Sequence, residues 1–260
     1  MKKLEVSNPF NAPVFHEETV SSTMDVSKKL ALEGAAHGTV ITADFQGSGR
    51  GRGRMRTWEM ERGLNLPFTV LLKYCNIDDI PKAITLRTGL AVSLAIEEAI
   101  PLLQGKVFVK WPNDIIINGK KAAGILCEAS EGNVHIGIGI NVLQREFPAH
   151  LQKKATSLLL EARGIEQEAG NGEKFKYILL EKIIAHLFNE LETENSWKEC
   201  LQKRIYKIGE QVTFIDGGAD SGKEIKGCLS GISDSGELLI TPNGSHTPES
   251  FITGELKIDY

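Results

Sequence analysis

The 260 residues predict an α+β fold with a mixed or antiparallel sheet, followed by a small all-β unit. Three observations carry that reading. Strand-like and helix-like stretches follow one another without the regular strand–helix–strand period of a parallel sheet. Asn118-Gly119 sits between apolar runs, a strong local signal for an antiparallel hairpin with a type I′ turn. After about Tyr206 the helical pattern stops, and short β segments with turn glycines suggest a small barrel or sandwich.

The elements follow in order. Val14 to Val20 reads as a strand. Ser22 or Thr23 then caps a helix from Met24 to Gly34. Thr39–Phe45 and Leu64–Lys73 are strands, separated by a glycine- and arginine-rich loop from Gln46 to Thr57. Pro81 opens a long apolar helix to about Ile100. Val107–Lys110 and Ile115–Ile117 are short strands around Trp111-Pro112-Asn113-Asp114. Lys121–Ala129 and Val134–Val142 follow, then a polar, irregular stretch at 143–157. Helices are expected at Glu173–Glu194 and Ser196–Lys203. The later strands are Val212–Ile215, Ile225–Ile232, Glu237–Ile240 and Phe251–Ile258. A boundary near 204–207 would divide a large domain, residues 1–204, from a small one, residues 205–260.

Composition narrows the function classes. With 41% hydrophobic and 25% charged residues the chain has ample core material. Its net charge of −4 argues against a basic polyanion binder as a whole. The four cysteines, Cys75, Cys127, Cys200 and Cys228, lie at least 28 residues apart, so no zinc knuckle exists and buried free thiols are expected. No apolar run is long enough to span a bilayer, and no signal peptide follows Met1. A reducing cytoplasm is the expected location, with no membrane partner.

Against this background the arginines are uneven. Four of nine, Arg50, Arg52, Arg54 and Arg56, fall within seven residues, interleaved with Gly49, Gly51 and Gly53. The loop leads back into a strand rather than a helix, so it is not a dinucleotide fingerprint, and no Gly-Lys-Ser/Thr follows to make a Walker A. Glycines free the backbone N–H groups and guanidinium groups supply charge, so such a loop can wrap phosphates. A solvated charged loop and an RNA-binding segment are the competing readings.

A second cluster lies downstream. Lys110-Trp111-Pro112-Asn113-Asp114 sets a cation, an aromatic ring, a rigid turn and two polar side chains between strands. Across the hairpin comes Lys121, followed by the small residues Ala122-Ala123-Gly124, where a ligand can approach closely. Gly137-Ile-Gly-Ile-Asn141 is a glycine-marked strand ending on an amide.

Taken together, Ser22-Thr23-Met24, QGSGRGRGRMRTW (46–58), KWPNDI (110–115), KKAAGILCE (120–128), GIGINV (137–142) and the terminal GELKI resemble the biotin protein ligase family. Two departures stand out. The loop carries one residue more than is usual in the family, and a methionine stands at position 24 where asparagine is frequent. The resemblance implies a class II synthetase-like catalytic domain with a C-terminal SH3-like β-barrel. It implies ATP-dependent formation of biotinoyl-5′-AMP, with Mg2+, and transfer to a lysine of a carboxylase's biotin carboxyl carrier domain.

By the same resemblance, Lys121 and Arg52 are catalytic. Ser22, Thr23, Met24, Gln46, Arg50, Gly51, Arg52, Lys121 and Gly124 bind biotin. Arg50, Arg52, Trp58, Lys110, Asn113, Asp114, Lys121 and Asn141 hold ATP or the adenylate. Asp114 is the candidate metal ligand, Trp111 can wall the site, and Arg54 and Arg56 have no assigned role. Only about 20 residues precede Ser22, so the expectation is the monofunctional class, without a DNA-binding domain and without DNA as a partner. A lipoate- or octanoate-protein ligase-like enzyme is the alternative.

Overall fold

The structure, a computed structural model, describes residues 1–53, 57–162, 172–193, 196–217 and 222–257. Eight strands form the main sheet. They are β1 (Lys2–Leu4), β2 (Val14–Glu17), β3 (Thr39–Ala43), β4 (Asn65–Lys73), β5 (Val107–Lys110), β6 (Asp114–Ile117), β7 (Lys120–Ser130) and β8 (Asn133–Asn141). Their spatial order is β1-β2-β3-β4-β8-β7-β6-β5, antiparallel throughout except for the parallel pair β2–β3. The mixed sheet and α+β class agree with the sequence reading.

Among the described residues five α-helices accompany these strands: α1 (Thr23–Leu32), α2 (Ile84–Ala99), α3 (Leu158–Glu161), α4 (Gly172–Glu192) and α5 (Trp197–Gln202). Ser22 caps α1, its Oγ accepting from Met24 N at 3.2 Å, and so fixes where the helix starts beside the sheet.

Side chains of a strand alternate between faces, and here the two faces have different tasks. Leu66, Phe68, Val70 and Leu72 of β4 and Ile136, Ile138 and Ile140 of β8 join one apolar cluster with α2 and α4. Each such buried side chain contributes about 1.5–3 kcal/mol relative to exposure. The intervening positions Thr69, Gly137 and Gly139 turn toward α1 and the cavity described below.

The C-terminal strands are β9 (Gln211–Asp216), β10 (Lys223–Ile232), β11 (Leu238–Pro242), β12 (Glu249–Phe251) and β13 (Gly254–Leu256). They pair antiparallel in the order β12-β11-β10-β9-β13, and only Ile252 and Thr253 separate the two edge strands in sequence. Phe214, Leu229, Leu238 and Ile240 belong to the same apolar cluster as the main sheet.

Polar ties hold the main sheet and α2 to the segments leading into and through the C-terminal sheet. Trp111 Nε1 donates to Gly236 O at 3.0 Å, and Val109 N donates to Arg204 O at 2.8 Å. Arg204 Nη1 reaches the carboxylate of Glu97 at 2.8 Å, which also accepts from Gly105 N at 2.9 Å. Glu97 is only 2% exposed, and these donors compensate its buried charge.

Several local expectations need correction. α2 begins at Ile84, not Pro81, because Ala83 stands in the left-handed region (φ 55°), packed against Gly236. β2 ends at Glu17, three residues short of Val20, which keeps only a bridge to Gln46. The expected strand Phe251–Ile258 is instead β12 and β13, with Ile258 outside the described residues. Strand β1 and helix α3 had no sequence expectation. All four cysteines are free, but Cys75 and Cys200 are exposed rather than buried. Burial pushes the Cys127 thiol up to about 11, which makes it a poor nucleophile at neutral pH.

Candidate active site

The glycine/arginine loop is clamped at its base and again higher up. Gly63 N donates to Asp44 O at 3.0 Å, closing the chain between the end of β3 and the start of β4. The buried Lys176 of α4 donates to Gly63 O at 2.8 Å and lies 3.8 Å from Asp44 Oδ1. Desolvation lowers the Lys176 pKa, while Asp44 and Glu173 oppose that shift. Higher up, Trp58 N donates to Gly49 O at 2.9 Å and Arg50 bridges Thr57, so the loop has a two-stranded stem. Arg50 pairs with Asp25 of α1 at 2.5 Å. Arg52 crosses to the other sheet and donates to Gly254 O at 2.6 Å. Arg54 and Arg56 lie outside the described residues.

Beneath this loop is a cavity of about 260 Å3. One wall is amide and hydroxyl. Gln46 Oε1 accepts from Thr23 N at 2.7 Å and from Thr23 Oγ1 at 3.0 Å, and Thr69 Oγ1 donates to Thr23 Oγ1 at 2.9 Å. That leaves the Gln46 amide N–H pair to face a ligand.

Charge makes up the opposite wall. Register slips between Ile115 and Ile116, leaving Ala122 as an extra residue in β7, and this bulge re-aims Lys121. The Lys121 stem folds back over Gly124, where a Cβ would lie 3.1 Å from its Cε and Nζ. Its ammonium then sits 2.6 Å from Asp114 Oδ1, an oxygen that is otherwise without a hydrogen-bond partner.

Lys110 is 6% exposed, and among the described residues its ammonium makes no hydrogen bond or ion pair. Burial holds its pKa below the usual lysine range. Asp114 and Glu255 push the other way, and Lys121 and Arg52 add to the lowering. The site therefore holds several cations against few carboxylates, an arrangement matched to an anionic ligand.

Of the residues expected from sequence, Ser22, Thr23, Met24, Gln46, Arg50, Gly51, Arg52, Trp58, Lys110, Asn113, Asp114, Lys121 and Gly124 all line this cavity. Asn113 also serves the turn itself, its Nδ2 donating to Ile125 O at 2.8 Å. Asn141 does not reach this cavity. It lines a second one of about 280 Å3, whose wall includes Trp58 and Lys121 as well.

Sequence reasoning missed Thr69, Glu255 and the Gln144–Ala155 side of the second cavity. Thr69 had a readable signal, a hydroxyl on the polar phase of an apolar strand. The other two had none, because they arrive by tertiary approach.

The strand glycines now have a reason. A Cβ on Gly139 would fall 2.7 Å from Trp58 Cε2, and one on Gly137 would fall 2.9 Å from Met24 Cε. Trp58 thus lies flat against β8 only because position 139 has no side chain. Gly139→Ala is expected to lift the indole and weaken ligand binding about tenfold, measured by tryptophan fluorescence titration, since a small misplacement of a wall is amplified in affinity. Unchanged affinity would remove Trp58 from the binding surface.

Comparison with known proteins fits this geometry. Residues 17–143 match the model of the biotin/lipoate A/B protein ligase family. The Bacillus subtilis bifunctional ligase/repressor BirA is 40% identical over 56% of this chain, and the matched stretch spans 46% of that relative's length. The biotin–[acetyl-CoA-carboxylase] ligase of Paracoccus denitrificans is 31% identical, with 84% of this chain aligned to 90% of that relative.

The chain belongs to the biotin protein ligase family.

The likeness extends to both sheets. The Aquifex aeolicus biotin protein ligase in complex with biotin and ATP superposes with a TM-score of 0.70 at 29% identity, covering 94% of this chain and 97% of that one. Every site residue expected from the motifs lies within the 17–143 match, whereas Glu255 and Gln144–Ala155 lie beyond it. Among the described residues no helix is long and apolar enough to cross a membrane, and no group of three His, Cys, Asp or Glu could hold a metal ion.

Proposed function

We propose that this protein joins biotin to ATP as biotinoyl-5′-AMP and passes the biotinoyl group to a lysine of a biotin carboxyl carrier domain. The observation that carries this reading is the meeting of two cavities at Lys121 and Trp58, one polar and cationic, the other lined by amides and apolar groups with Glu59, Glu61 and His150 at its side. Biotin belongs in the first, its carboxylate toward Lys121. The nucleotide runs from Lys110 and Lys121 into the second, past Asn141.

In the first step a biotin carboxylate oxygen attacks the α-phosphorus. The α–β phosphoanhydride bond breaks and pyrophosphate leaves with its electron pair. Two anions must meet, so the step needs fixed positive charge, which Lys121, Lys110 and Arg52 supply without reorganising. In the second step a neutral lysine amine attacks the acyl carbon. An amide forms, the bond to AMP breaks, and the amine gives up a proton.

Mg2+ takes one or two carboxylates and keeps phosphate oxygens and water, so Asp114, with Glu255 nearby, suits an ion that arrives with ATP and neutralises its phosphates. On this reading the reaction takes place in the cytoplasm and the chain divides at residues 204/205, with Glu255 of the C-terminal sheet lining the site from the far side. The lipoate alternative is not favoured, because the named relatives are biotin ligases.

Isothermal titration tests the reading. Biotin should bind alone and bind more tightly with a non-hydrolysable ATP analogue present. Absence of biotin binding under both conditions would refute it.

A further inference from the structure

Asn65, the first residue of β4, is fully buried, and no motif singled it out. Its side chain has three partners on three separate segments. Oδ1 accepts from Glu61 N at 3.1 Å, and Nδ2 donates to Asn141 Oδ1 and to Gln144 Oε1, each at 3.0 Å. All three partner residues line the second cavity, and Asn65 itself does not.

Backbone groups fix the sense of this network. The Glu61 N–H can only donate, so it meets the Asn65 oxygen, and the other end of the Asn65 amide must be its NH2. Asn141 Nδ2 donates to Thr156 O at 3.0 Å and Gln144 Nε2 donates to Glu146 O at 3.0 Å, so both neighbours turn their oxygens to Asn65. Ser157 Oγ adds a bond to Gln144 O at 2.6 Å, tying down the same segment. No other side chain of this size can accept on one edge and donate two N–H bonds on the other from this position. Glu61 lies near the C-terminal end of the glycine/arginine loop, whereas Gln144 opens the 143–157 segment. One buried amide therefore joins the loop over the first cavity to the far wall of the second.

We infer that Asn65 is a positioning residue for the nucleotide, holding the loop end and the Gln144 segment in the register that forms the second cavity. This rests on the nucleotide assignment made above. Asn65→Asp is the sharpest substitution, because it keeps shape while replacing two donors with an oxygen aimed at two oxygens. Gln144→Met removes a single bond and keeps volume. It carries the test alone if the aspartate variant does not fold.

Steady-state biotinylation of a carrier domain reads the outcome, with folding checked by circular dichroism. The KM for ATP should rise at least about tenfold in Asn65→Asp and by less in Gln144→Met, with the KM for biotin within about twofold of the starting protein. Folded variants with unchanged KM for ATP would overturn the inference, as would equal rises for ATP and biotin. Biotin-dependent turnover by the unsubstituted protein is the control. Its absence would count against the proposed reaction, whereas its presence with an unmoved ATP KM would count against Asn65 alone.

Discussion

Lys121→Ala should lower the rate of biotinoyl-adenylate formation about 100- to 1,000-fold, the usual cost of removing one preorganised charge from a transition state. The ammonium lies at the junction of both cavities, 2.6 Å from Asp114 Oδ1. Alanine removes the charge on the meeting anions and leaves Asp114 as added repulsion. The fold should persist with a small loss of stability, because the side chains are 38% and 20% exposed but the buried Asp114 Oδ1 loses its partner. A drop in Tm of more than about 4 °C would indicate that the loss is structural. Biotin-dependent release of pyrophosphate measures the effect. Release at the starting rate would remove Lys121 from the chemistry.

Arg52→Gly should act on the intermediate rather than on its formation alone. Arg52 reaches from the loop to Gly254 O at 2.6 Å and so fastens the loop to the C-terminal sheet above the cavity. Gly254 itself is constrained, with φ 141°, and a Cβ there would fall 2.2 Å from Phe214 Cζ. Without the guanidinium the loop loses a charge-assisted bond, worth about 1.5–3 kcal/mol. If that bond restrains loop opening, escape of the adenylate should accelerate about 10- to 100-fold. An escaped acyl-adenylate reacts with any amine, so labelling of bystander lysines on albumin should rise by a comparable factor. Bystander labelling at the starting level would show that the loop does not retain the intermediate.

Local chemistry in the chain explains how much of this could be read beforehand. Asn118 and Gly119 both adopt positive φ, 48° and 75°, as a type I′ turn demands, and the hairpin followed from two residues. The walls of the first cavity were legible because Thr23, Gln46, Lys110 and Lys121 sit in short segments whose composition is itself unusual. The helix start at Ile84 was not legible. Pro81 is a good opening residue, but packing of Gly236 against Ala83 places the turn three residues later.

The second cavity was hidden for a different reason. Gln144, Phe147, His150 and Ala155 belong to a stretch with no period, shaped by bonds to distant elements such as Asn65 Nδ2 to Gln144 Oε1 and Lys121 N to Lys154 O. Glu255 reaches the site from the last described strand, a long-range approach that no local pattern encodes.

The central claim is that the two cavities join a biotin carboxylate to the α-phosphate of ATP. Exchange of labelled pyrophosphate into ATP tests it most directly, with biotin, with lipoate and with neither. The account predicts exchange that requires biotin, is not supported by lipoate, and collapses in Lys121→Ala. Exchange that is absent with biotin, or that lipoate supports equally well, would contradict it.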